Sequence, residues 1–151
     1  GALSAAGLRI SKLHLSSALI VKPDADTKEK LKPFEEDVYL HQVVEKTKSG
    51  ELNRFRDLDV ALAAESYADE WRIHFHVPLH SPDGNWFSTT RDHIVGVLDI
   101  LKEDPELCSH LEMETYTWEV LPLEMKNRDV VGQLVGEYER TLEQLRARDL
   151  V

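Results

Sequence analysis

The segment WRIHFHVPLH, residues 71–80, decides how this chain is interpreted, because its side chains alternate with the period of a β-strand. Ile73 and Phe75 point to one face of such a strand, and Arg72, His74 and His76 point to the other. An ordinary half-buried strand keeps simple polar groups on its solvent face. Two imidazoles and a guanidinium in one row indicate a functional face instead.

Two further segments, KLHLSSAL (12–19) and HLEMETYTWEVLP (110–122), show the same alternation. Their polar rows consist of Lys12, His14 and Ser16 in the first and Glu112, Glu114 and Tyr116 in the second. If the three strands are neighbours in one sheet, His14, His74, His76 and Glu114 converge. Neutral imidazole and carboxylate groups suit Zn, Mn or Fe, so the sequence predicts a divalent metal site.

The composition limits the function classes. A chain of 151 residues is long enough for about one domain with its own core. Its formal charge of −10 argues against binding to nucleic acid or to an anionic membrane, since both require basic surfaces. The single cysteine, Cys108, excludes an internal disulfide, and the sequence has no run of about 18 apolar residues. We therefore expect a soluble, cytoplasmic protein.

Strand and helix patterns alternate along the chain. Besides the three strands, at 8–19, about 70–77 and about 110–118, we predict helices from about 28 to 33, 35 to 48, 57 to 66, 90 to 104 and 130 to 148. Asp129 is the expected cap of the last helix, whose apolar stripe (Val131, Leu134, Val135, Tyr138, Leu142 and Leu145) should pack on the sheet.

Strands that alternate with helices predict parallel strands joined by crossover connections. Polar rows that face inward favour a closed barrel, whose active site lies at the carboxyl ends of its strands. The predicted fold class is therefore α/β, with residues 1–151 as the C-terminal portion of a single (β/α)₈ TIM barrel. Residues 2–6 and Gly7 are typical of a helix end, which predicts a fragment that associates with itself or with the missing N-terminal part of the barrel.

The three quoted segments resemble the C-terminal part of the xylose-isomerase-like barrels, a superfamily of sugar isomerases, epimerases and endonuclease IV-like enzymes. The Ebo-type metabolite traffic branch is the most similar one, through HFHVP and the string LEMETYTW. The resemblance implies that His14 occupies the place of a metal-binding histidine on the seventh barrel strand. Ser17 stands near the place of an expected aspartate that contacts the substrate.

The resemblance also implies roles for the other two strands. His74-Phe75-His76 resembles a ligand pair of the endonuclease-like members, and Glu114 takes the place of a metal-bridging glutamate that can also serve as the catalytic base. Independently of the resemblance, we expect Lys12 and Arg72 to hold Glu112 deeper in the barrel, where it would support the metal ligands, and Arg72 is also a candidate for substrate binding. Tyr116 and Trp118 would contact the substrate at the barrel mouth.

Several alternatives remain open at this stage. The histidines are each explicable as structural residues, and Lys12, Arg72 and Glu112 as an ion network without a catalytic role. His41 is expected to be a surface or packing residue on a helix. Two functions fit: a metal-dependent isomerase or epimerase of a small sugar-like hydroxy-carbonyl substrate, acting by proton transfer, and a non-catalytic metabolite-binding or traffic protein. An abasic-site nuclease is disfavoured by the negative charge.

Overall fold

A computed structural model of the chain describes residues 2–114 and 129–151. In chain order, the strands within these residues are β1 (Leu13–Leu15), β2 (Ser17–Val21), β3 (Val43–Lys46), β4 (Leu52–Phe55), β5 (Glu70–Val77), β6 (Phe87–Thr89) and β7 (Leu111–Met113). The helices are α1 (Ala2–Ala5), α2 (Ala25–Leu31), α3 (Leu58–Ala63), α4 (Arg91–Glu103) and α5 (Val130–Arg146), with short 3₁₀ turns at Lys32–Phe34 and Pro105–Leu107.

The strands of the described residues form two sheets. β1 and β7 make a parallel pair in which His14 lies opposite Glu112. The other sheet is antiparallel, with the order β4-β3-β5-β2-β6, and Leu19 on β2 lies opposite Ile73 on β5. A single residue, Ser16, separates β1 from β2, so one stretch of chain serves both sheets.

The protein is therefore mixed α/β, but the prediction of three parallel strands is wrong for the middle strand. β5 runs antiparallel to β2 and to β3, and only β1 and β7 keep the predicted parallel direction among the described residues. These residues form no closed barrel. The expected strand over residues 8–19 is also divided, with β1 starting at Leu13 and β2 continuing to Val21.

The reversal of β5 follows from a second wrong prediction, the helix over residues 35–48. That region instead leads into the hairpin β3–β4, in which Val43 lies opposite Phe55. Val43 and Glu45 are buried and alternate with more exposed neighbours, which is strand periodicity, and Gly50 adopts a positive φ of 86° in the connecting turn. Without a helix here, no crossover connection forces β5 to run parallel to β2.

Helix ends that depend on local capping were easier to predict. Asp129 caps α5 as expected, since its carboxylate accepts a hydrogen bond from the backbone N–H of Gly132 at 2.9 Å. Asp57 is the N-cap of α3, and its carboxylate accepts a hydrogen bond from the backbone N–H of Leu58 at 2.8 Å. α2 begins slightly earlier than predicted, because Asp24 provides the cap through the N–H of Thr27 at 2.9 Å.

The apolar side chains of the described residues form two clusters. One lies between the antiparallel sheet and the short helices α2 and α3, and is centred on Trp71, Ile73 and Phe75. The other packs α4 and α5 against the parallel pair, around Leu98 and Leu101. Each sheet thus has its own core.

The predicted inward stripe of α5 is confirmed at Leu142 and Leu145, which pack in the second cluster, and wrong at three other positions. Val131, Val135 and Tyr138 are exposed, whereas Gln133, Glu137, Thr141 and Leu145 are buried. The Glu137 carboxylate accepts a hydrogen bond from the backbone N–H of Leu79 at 3.0 Å, which ties the polar face of the helix to the chain after β5. A buried polar group of this kind needs its partner, so the contact fixes the rotation of the helix.

No helix in residues 2–114 and 129–151 combines the length and the apolar character needed to cross a lipid bilayer.

A buried carboxylate organises the edge of the antiparallel sheet. Glu45 on β3 accepts hydrogen bonds from the indole Nε1 of Trp71 at 2.8 Å, from the Asn53 amide at 3.0 Å and from the Ser66 hydroxyl. Burial raises the pKa of the Glu45 carboxyl, but these hydrogen bonds and the nearby Lys28 charge outweigh it and hold the pKa below its usual 4.5. The charged form of Glu45 therefore stabilises the fold.

We expect Glu45→Gln to lower the free energy of unfolding at pH 7 by about 1.5–3 kcal/mol, the range for hydrogen bonds to a charged group. Because the pKa of Glu45 is lower in the folded state, its contribution is present above pH 4.5 and is lost as the pH falls through the folded-state pKa. Urea unfolding of both proteins at pH 7 and in acid should show this difference shrinking. Glu51→Gln, an exposed change in the same hairpin, should have little effect at either pH; an equal effect of both substitutions would contradict the assignment.

Candidate functional site

The chain brings three strand ends together around Ser16. Ser17 lies opposite Val77 in the antiparallel sheet, so the carboxyl end of β5 lies beside the carboxyl end of β1. On the other side, the backbone N–H of Glu114 donates to the carbonyl of Leu15 at 3.3 Å, which continues the β1–β7 pairing past β7. Side chains that follow or end these strands therefore meet at one place.

The Glu114 carboxylate lies between two imidazoles at this place. Its Oε1 is 3.3 Å from Nδ1 of His14, and its Oε2 is 3.7 Å from Nδ1 of His76. The side chains differ in access to solvent, with 40% of His14, 26% of Glu114 and 5% of His76 exposed. The structure thus brings together three of the four side chains predicted as metal ligands, at the junction of the two sheets.

His76 is held in a buried position that favours the neutral imidazole. Its Nδ1 lies 2.6 Å from the hydroxyl oxygen of Ser16. Burial lowers the pKa of His76 below its usual 6.5, and the neighbouring imidazoles of His74 and His41 lower it further, whereas the Glu114 carboxylate and backbone oppose the shift. At neutral pH the ring is therefore uncharged and able to accept a proton or a cation.

His74, the fourth predicted ligand, lies on the same side of β5 as His76, with ring centroids 5.0 Å apart. Its Nδ1 is 2.8 Å from the side-chain oxygen of Gln42, and the residue is exposed. Gln42 is a neighbour that sequence reasoning missed. No signal in the sequence identifies it, because Gln42 and His74 are 32 positions apart and contact each other only once the sheet has formed.

A second group of charged side chains lies two residues before His14 and Glu114 in the sequence, at Lys12 and Glu112. The Lys12 ammonium donates to Glu112 at 2.7 Å, and this hydrogen bond, with the charges of Lys12 and the nearby histidines, lowers the pKa of the Glu112 carboxyl. His14 is 3.9 Å from the same carboxylate. The predicted contact between Lys12 and Glu112 is therefore present on the surface.

Arg72 does not join that group. Its Nε donates to Glu70 at 2.8 Å, and its Nη1 lies 3.2 Å from Nε2 of His93. The expected role of Arg72 in holding Glu112 is wrong, because the antiparallel direction of β5 carries Arg72 away from the parallel pair.

Other candidate residues have different positions. Tyr116 and Trp118, predicted to contact a substrate, lie outside the described residues. Ser17, at the place of the expected aspartate, is only 1% exposed and faces the core. His41 is a packing residue as expected, although not on a helix: its ring stacks on Phe75 with centroids 3.9 Å apart.

The donor types at Glu114 fit a divalent metal. In a tetrahedral zinc site with bonds of 2.0–2.2 Å, neighbouring donor atoms lie about 3.4 Å apart. The two carboxylate–imidazole distances, 3.3 and 3.7 Å, are close to that spacing. In residues 2–114 and 129–151, however, no group of three or more His, Cys, Asp or Glu side chains is arranged closely enough to hold an ion as it stands.

The titration of His76 tests the geometry without any ligand. Since Glu114 raises the pKa of His76 against the effect of burial, Glu114→Gln should lower that pKa further. Nuclear magnetic resonance (NMR) titration of the His76 ring should place the wild-type midpoint below 6.5 and the variant midpoint lower still. Glu112→Gln, a carboxylate that contacts Lys12 instead, should leave the midpoint unchanged; an upward shift in Glu114→Gln would contradict the arrangement.

The chain was also compared with known proteins. No model of a protein family matches it, and neither a curated protein nor a solved structure does.

Proposed function

We propose that the chain is part of a metal-dependent isomerase or epimerase that acts on a small, sugar-like hydroxy-carbonyl compound by proton transfer. The observation that carries the proposal is the position of the Glu114 carboxylate between the imidazoles of His14 and His76. Carboxylate and neutral imidazole in contact are the groups that both divalent metals and proton transfer require.

The order of elements around the site supports a barrel-like architecture. The parallel strands β1 and β7 alternate with α4 and α5, and their second core packs these helices on the strand pair. The antiparallel sheet is then an insertion of residues 17–89 between β1 and α4. In (β/α)₈ barrels the active site lies at the carboxyl ends of the strands, and here Glu114 follows the carboxyl end of β7 and contacts His14 on β1.

In this proposal, further strands complete the parallel pair. β1 and β7 each pair with only one strand among the described residues, which leaves an open edge on each. The remaining part of the barrel, or a second copy of the chain, would cover these edges and supply the other ligands. We place the reaction in the cytoplasm, where the unpaired Cys108 would stay reduced.

His14, His76, Glu114 and His74 would hold the metal, which we expect to be Zn, Mn or Fe. When bound, a divalent ion of this kind polarises carbonyl and hydroxyl oxygens of a substrate. Glu114 would take a proton from a carbon next to the carbonyl group and return it. The low pKa of His76 keeps its ring neutral, so it does not repel a cation at working pH. Lys12 and Glu112 would orient His14 from below.

The substrate contacts in this proposal are those predicted from the sequence. Arg72, which is exposed and two residues before His74, would bind an anionic group of the substrate. Tyr116 and Trp118 would form hydrogen bonds to its hydroxyl groups or stack on its ring.

The first test is metal content. We expect near-stoichiometric Zn, Mn or Fe in the purified protein by elemental mass spectrometry, and a loss of metal from His76→Ala and Glu114→Gln, whose metal affinity should be at least about tenfold lower. His93→Ala removes an exposed imidazole outside the ligand set and should retain the metal. A wild-type protein that stays metal-free after reloading with each ion would refute the metal site.

The second test is isotope exchange. With added Mn²⁺ or Zn²⁺ in deuterated water, a panel of small aldoses and ketoses should gain deuterium at the carbon next to the carbonyl. Glu114→Gln should slow this exchange by about 10²–10⁴-fold, the usual contribution of a general base. Glu106→Gln, a change of an exposed carboxylate in the 3₁₀ turn before β7, serves as the control. Exchange at the wild-type rate in Glu114→Gln would remove Glu114 from the proton transfer.

A non-catalytic metabolite-binding or traffic protein is the second candidate, and one observation favours it. Ser17, at the place of the aspartate expected to contact the substrate, is buried in the core and cannot reach a ligand. A protein of this class would bind members of the same sugar panel, as measured by calorimetry, and would show no deuterium exchange.

A further inference from the structure

The two residues before β3 contact His74 at three separate atoms. The carbonyl of Gln42 accepts a hydrogen bond from the backbone N–H of His74 at 2.9 Å. The Nδ1 of His41 lies 3.1 Å from the backbone carbonyl of His74. The side-chain oxygen of Gln42 lies 2.8 Å from Nδ1 of the His74 ring. Both the backbone and the ring of His74 are thus held by one short segment.

The contact to the ring has a chemical consequence. An amide oxygen is only an acceptor, so Nδ1 of His74 must be the donor. In a neutral imidazole the other nitrogen, Nε2, then carries the lone pair. The ring is exposed and lies 5.0 Å from the His76 ring, centroid to centroid, on the side of β5 that faces the candidate site.

We propose that Gln42 is a positioning residue, which holds His74 in its Nδ1–H tautomer and so presents the Nε2 lone pair to a divalent cation. The tautomer of His74 follows from the hydrogen bond alone, and the role of the ring toward a cation rests on the proposed function.

The backbone carbonyl of Gln42 is hydrogen-bonded to β5, whereas its side-chain amide is not part of this backbone pairing. The ladder between β3 and β5, with Val43 opposite Ile73, already fixes the strands, and the Gln42 side chain is exposed. Removing the amide should therefore change the ring of His74 without unfolding the sheet. Metal-binding histidines depend on such a partner for the second ring nitrogen.

The test is NMR of the full chain labelled with ¹⁵N-histidine, recorded without metal at about pH 8, where histidine is neutral. Two-bond correlations in the wild type should show His74 protonated at Nδ1 and unprotonated at Nε2. Gln42→Leu should abolish this preference, and Gln42→Glu, which keeps an acceptor oxygen, should restore it. Asn85→Leu, the loss of an exposed amide outside the site, should leave the tautomer unchanged.

A titration with Zn²⁺ alone then tests the second statement. Zn²⁺ affinity should fall by about 10–100-fold in Gln42→Leu and should not fall in Gln42→Glu. A wild-type His74 that is protonated at Nε2, or a tautomer that Gln42→Leu does not change, would overturn the role of Gln42. The predicted tautomers together with no Zn²⁺ binding by the wild type would support that role and refute the metal site instead.

Discussion

The candidate site depends on one backbone feature, the change of partner strand that the chain makes at Ser16. Before this residue, β1 pairs with β7 in the parallel sheet, and after it, β2 pairs with β5 in the antiparallel sheet. The chain therefore connects the two sheets directly at Ser16 and a second time through α4, between β6 and β7. His14 and Glu114 belong to one side of the junction and His76 to the other, and they meet only because the chain passes directly from one sheet into the next.

Properties that depend on neighbouring residues in the sequence were predictable. The alternation of side chains put His74 and His76 on one face of β5, and the Asp129 cap fixed the start of α5. Strand direction was not predictable in this way. It depends on whether residues 35–48 form the predicted helix or lead into the β3–β4 hairpin, and Val43 and Val44 fit either pattern when they are read without their partners.

The same limit applies to the site. The grouping of His14, His76 and Glu114 was predicted from a sheet of three parallel strands, whereas the structure reaches it through an antiparallel neighbour. Arg72 shows the difference, because the antiparallel direction turns it toward Glu70 and His93 and away from Glu112. Contacts such as Gln42 to His74 join residues 32 positions apart and leave no periodic trace in the sequence.

The two apolar clusters have a consequence for the cooperativity of the molecule. Each sheet is packed on its own core, and the two halves also contact each other through hydrogen bonds such as the one from the Leu79 N–H to Glu137. A ligand held by His14, His76 and Glu114 would bind only when both halves are closed. By mass action such a ligand would add its binding free energy to both halves at once and make them unfold as one unit. The site would then couple two units that the chain connects at Ser16 and through residues 90–110.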